Sequence, residues 1–130
     1  MEDFTIALFG EAEKGDYRTV YHCRSLPELL ETFGEPPPFS LGLHFAVQTL
    51  LYKYTVYFLR VQEEGFSHMD YKIGLDLLQR EPFYEKVKAL GLPGVGDTKI
   101  LEAATPVCRK NEQVLILTEK DLYDLLTNPL

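Results

Sequence analysis

Apolar residues follow two rhythms along this chain. Strand-like runs, rich in β-branched and aromatic side chains, occur at 4–9 (FTIALF), 17–24 (YRTVYHCR), 55–62 (TVYFLRVQ) and 113–118 (QVLILT). Between them the spacing changes to a helical period. Leu26, Leu29, Leu30 and Phe33 form one stripe, Leu43, Val47, Leu50, Leu51 and Tyr54 a second, and Ile73 and Leu77, with Met69 beside them, a third. Phe83, Val87 and Leu90 predict a further short helix after Pro82, and Leu122, Leu125 and Leu126 the last one. Three helix starts are marked by a hydroxyl followed three residues later by an acid: Ser25/Glu28, Ser67/Asp70 and Thr118/Asp121. In each pair the hydroxyl can take an orphan amide of the first turn while the acid reaches back or complements the helix dipole. Ser40 is placed to cap the helix between them, and Pro106 is expected to cut short a helix beginning near Asp97.

Strand, cap and helix in repetition imply an α/β domain. The seven-residue link Gly10–Asp16, with a glycine near each end, favours a hairpin between the first two strands, whereas the later links are long enough for helical crossovers. The expected architecture is therefore a mixed, mainly parallel four-stranded sheet with helices on both faces, three layers in all. Residues 36–38 are three consecutive prolines, read as a rigid connector.

Composition limits the class. The 130 residues, 45% hydrophobic, suit a single domain spanning 1–130. No signal-peptide pattern opens the chain, and the longest apolar stretch, 41–61, contains His44, Gln48, Lys53 and Arg60, so no membrane span is expected. His44 is read as a core histidine. Cys23 and Cys108 have no metal-ligand spacing and read as buried reduced thiols, consistent with a cytoplasmic protein. A net charge of −7 disfavours nucleic acid or anionic lipid across a broad face.

Candidate chemistry gathers where strands end. Glu63, Glu64 and His68 are the catalytic candidates, with carboxylate oxygens suited to Mg²⁺ and an imidazole suited to general-base work on a phosphate ester. The capping acids weigh against this, because they fill helix N-termini that would otherwise attract phosphate. GxxxxG at Gly10–Gly15 is followed by Asp16 and Tyr17, not by the Lys and hydroxyl that a phosphate loop needs. No metal or cofactor is expected.

Residues 83–104, FYEKVKALGLPGVGDTKILEAA, place a short amphipathic stretch before LPGVG and a second helix start. This segment resembles the helix-hairpin-helix element of DNA-binding and repair proteins. The resemblance implies that Gly94, Val95 and Gly96 form a hairpin whose amides meet a backbone phosphate, with Val95 anchoring it and Lys99 assisting. Between Lys86 and Lys110 five bases face two acids, a local cationic patch on an acidic chain.

The leading expectation is a non-catalytic interaction or assembly domain with a protein partner or a second copy of itself. Sixteen Phe and Tyr residues support it, as does a helix with more apolar surface than one stripe. Leu41, Phe45 and Tyr52 lie outside that stripe and are the interaction candidates. Cation-dependent hydrolysis or transfer and nucleic-acid backbone binding are the alternatives.

Overall fold

The computed structural model describes residues 4–128. Its centre is β1 (Thr5–Gly10), a strand in which all six residues are buried. A run with no polar alternation has both faces covered, and β1 is flanked in parallel by β3 (Thr55–Arg60) and by β4 (Val87–Gly91). Beyond β3 lies β2 (Val20–Cys23), antiparallel, and beyond β4 lies β5 (Val114–Ile116), parallel. The order is β2-β3-β1-β4-β5, a mixed five-stranded sheet.

Two expectations change here. The first two strands form no hairpin: β2 pairs with β3, and β1 lies in the middle of the sheet. The uninterrupted apolar character of FTIALF suits a strand covered by helices on both faces, and the strands beside it are β3 and β4. The helix expected over Phe83–Leu90 is a 3-10 turn at Tyr84–Lys86 followed by β4, which raises the strand count from four to five. Short apolar runs satisfy either period, and Lys88, the only exposed residue of β4, carries the strand alternation.

Helices cover both faces. On one, α1 (Leu26–Phe33), α2 (Gly42–Leu51) and α5 (Glu119–Thr127) enclose Ile6 and Leu8 of β1 with Val56 and Phe58 of β3. On the other, α3 (His68–Leu78) and α4 (Thr98–Asn111) cover Ala7 and Phe9 with Tyr57 and Leu59. Alternate residues of each strand thus divide between two cores. Pro106 lies within α4 and does not end it. Ile100, Ala104 and Cys108 bury one face on both sides of the proline, and that packing carries the helix past one missing amide bond.

Two of the three expected hydroxyl caps form. Ser25 accepts the Glu28 amide at 3.3 Å, and Thr118 and Asp121 make a reciprocal capping box. Ser67 caps nothing; its hydroxyl instead closes a turn with the amide and carbonyl of Glu63. Ser40 likewise donates to the Pro37 carbonyl at 2.8 Å, leaving α2 without a hydroxyl cap. No helix is long and apolar enough to cross a membrane among the described residues.

Candidate functional site

The carboxyl ends of β1, β3, β4 and β5 share one edge of the sheet. The antiparallel β2 ends at the opposite edge. The chain leaves β1 toward the α1/α2 layer and leaves β4 toward the α3/α4 layer, so the crevice between these strand ends is where an open α/β sheet seats its ligand. Here a residue of the protein takes the free amides beside it. The Glu64 carboxylate, on the loop after β3, accepts the Glu11 amide at 3.0 Å, the Gly42 amide at 3.1 Å and the Leu41 amide at 2.7 Å. In return the Glu11 carboxylate accepts the Glu64 amide at 2.9 Å. Glu64 therefore caps α2 from a distant part of the chain. Burial pushes its acidity weaker than usual, the three amide bonds oppose that, and the neighbouring Glu11 charge adds to it.

Close backbone approach makes the latch possible. A Cβ on Gly10 would stand 2.7 Å from the Gly42 Cα and 2.7 Å from Glu64 Oε1. Only hydrogen side chains at Gly10 and Gly42 let α2 come down on the end of β1.

The other candidates are drawn to separate partners. Glu63 is exposed, and His68 Nδ1 faces Asp97 Oδ2 at 3.5 Å. Asp70 is buried, where it accepts Arg18 Nε at 3.1 Å and the Gln62 amide at 2.9 Å. Among the described residues no three His, Cys, Asp or Glu side chains converge as a metal site. Burial raises the Cys23 thiol to about 12 and the Cys108 thiol to about 11, so both stay protonated and poorly nucleophilic at neutral pH. Comparison with protein-family models, curated proteins and solved structures returned no match.

The segment that resembles a helix-hairpin-helix lies beside the latch, with β4 where its first helix would be. Gly94 has the positive φ of a turn, 70°. The amides of Gly96 and Asp97 both point to the Gly65 carbonyl, at 2.9 and 3.1 Å. Val95 is half-buried and Lys99 exposed, while Asp97 caps α4 through the Lys99 amide at 2.9 Å. Amides already bonded inward and an acid at the helix start leave little for a phosphate.

Of the interaction candidates, Leu41 and Tyr52 are exposed, but Phe45 is 1% exposed in the core. The buried face of α2 combines Leu43, Phe45 and Leu50 with Gly42, Ala46 and Thr49, small residues that let the helix approach the sheet. Leu43 and Leu50 of the expected stripe are buried, but Leu51 is exposed, and His44, expected in the core, faces solvent. Sequence reasoning missed Phe39. It is fully exposed, two residues before the latched Leu41, with φ at 65°. Phe66, two residues after Glu64, and Met69 are also about half exposed.

Proposed function

We propose that the chain is a protein-association domain that works through the apolar rim of its carboxyl edge, and that it does no chemistry there. The observation that carries this reading is Phe39, held fully in solvent in a left-handed backbone conformation that bulky residues rarely adopt. A ring in water and a strained backbone both cost free energy, and a site that keeps both is a candidate for function. The latch supports it further. Glu64 fastens Leu41 and Gly42, so the PPPFSL loop is presented on a fixed base. Leu41, Phe66 and Met69 extend the rim, the composition expected of an interface core. The amides at the start of α2, by contrast, are taken by the Glu64 carboxylate, which argues against a phosphate seated on that helix.

Light scattering over a concentration series, on the wild type and on a Phe39→Ser, Phe66→Ser double variant, tests the proposal. Association that disappears in the variant, at unchanged helical circular dichroism, supports it. A wild type that stays monomeric and retains the same proteins from its source lysate as the variant overturns it.

A further inference from the structure

The opposite edge of the sheet has opposite chemistry. Thr5 opens β1, Thr55 opens β3, and Lys86 immediately precedes β4. The reversed strand β2 brings His22 to the same place, with Arg24 just past its end. These five residues and Phe83 line a cleft of 250 Å³. No carboxylate is among its lining residues. For a chain of net charge −7, gathering two permanent cations and an imidazole in one cleft needs a reason.

The cleft has a polar floor and a mixed rim. Thr5 Oγ1 and Thr55 Oγ1 lie 2.8 Å apart, and His22 Nε2 lies 3.3 Å from Thr55 Oγ1, a chain of three linked groups. When His22 donates from Nε2, Thr55 can donate to Thr5, and the Thr5 proton is left for a ligand oxygen. Arg24, Lys86 and Phe83 stand exposed around it. Among the described residues neither the Arg24 guanidinium nor the Lys86 ammonium is in an ion pair. Glu28, the nearest acid in sequence to Arg24, spends its carboxylate on the Arg24 main-chain amide at 2.6 Å.

We propose that this cleft binds the phosphoryl group of a small phosphate monoester, whose organic part lies against the Phe83 ring. Two cations and a hydroxyl donor chain match a tetrahedral dianion with several acceptor oxygens. An exposed ring at the rim offers a flat apolar surface to whatever the phosphate carries. The volume sets the size: drug-sized ligands take pockets of about 300–1,000 Å³, so a phosphoryl group with a short arm fits and a dinucleotide does not. The site is independent of the association reading, since it lies at the other end of the strands.

Calorimetric titration of the full chain at low salt, with inorganic phosphate, phenyl phosphate and sulfate as probes, tests the assignment. Phenyl phosphate should bind several-fold to about tenfold more tightly than inorganic phosphate, and Phe83→Ala should remove that advantage alone. Arg24→Ala and Lys86→Gln should each weaken both phosphates by about tenfold, and neither should lower the melting temperature, because both side chains are exposed. No heat from either phosphate overturns the proposal. So does undiminished binding in the Arg24→Ala, Lys86→Gln double variant, or sulfate binding as tight as phosphate, which would mark an adventitious ion only.

Discussion

The two ends of this sheet handle charge in opposite ways. At the carboxyl edge an acid satisfies the amides of its own fold: Glu64 takes the N–H groups of Glu11, Leu41 and Gly42. At the amino edge Arg24, Lys86 and His22 surround a cleft that no lining carboxylate neutralises. Helix N-termini near strand carboxyl ends are the usual anion seats of α/β proteins. Here the N-terminus of α2 is capped from within by Glu64, and Arg24 and Lys86 stand at the end where such folds seldom bind. Substitutions at the first edge should therefore cost stability, and substitutions at the second should cost ligand.

The largest effect should come from Gly10→Ala. The added methyl has backbone on one side and the latch carboxylate on the other, each at 2.7 Å, and neither is the end of a flexible chain free to leave. Urea denaturation should show a loss of about 3 kcal/mol, the upper part of the range for forced overpacking. Next is Glu64→Ala, which strips the acceptor from three amides at once. Its cost should be about 2 kcal/mol, near that of a lost helix cap combined with unsatisfied donors. Equal stability of wild type and Glu64→Ala would mean that water replaces the carboxylate without loss, and the contrast between the edges would dissolve.

Phe39→Gly should go the other way. Glycine relieves the left-handed strain at φ 65° and removes an exposed ring, so the variant should be more stable by about 1 kcal/mol. If it also loses association in light scattering, stability and function pull against each other at one residue. A variant both stabilised and fully associating would remove Phe39 from the interface.

Much of the scaffold was legible, and its losses follow a rule. Local signals held at two of three places: Ser25/Glu28 and Thr118/Asp121 cap helices because their partners are three residues away, while the Ser67 hydroxyl turned to Glu63 instead. Non-local choices did not. FTIALF carried the uninterrupted pattern of a buried central strand, but a short glycine-bearing link suggested a hairpin, and link length alone does not say whether two strands pair. KALGL was too short to separate strand from helix. At the site, Glu64 was visible as a residue but not as a cap, since the helix it caps starts 22 positions earlier. Its true signal was negative: α2 begins with neither a bonded hydroxyl nor an acid in its first turn, so its orphan amides had to find an acceptor elsewhere. The amino-edge cleft assembles residues 5, 22, 24, 55, 83 and 86, which no spacing in the sequence connects.

The smallest effect concerns His22, and it ties the cleft to pH. Burial lowers its pKa from the ordinary 6.5, the Arg24 charge lowers it further, and Glu28 partly opposes both. The Tyr57 ring packs 4.5 Å away and Lys86 lines the same cleft. With the folded value below the unfolded one, the unfolded chain binds the extra proton first as pH falls. The stability linked to His22 is thus complete above pH 6.5 and is lost as pH falls from there through the folded value. His22→Gln should flatten that part of the pH–stability curve. A bound phosphate dianion should reverse the sign, since it favours the imidazolium and raises the folded-state pKa, so the affinity for phenyl phosphate, a monoester with a second pKa of about 6 that stays largely dianionic here, should increase as pH falls from 7.5 toward 6.5. Phenyl phosphate affinity that is constant across that interval in the wild type, or equally pH-dependent in His22→Gln, would separate His22 from the ligand and leave Arg24, Lys86 and the threonine hydroxyls to recognise the anion.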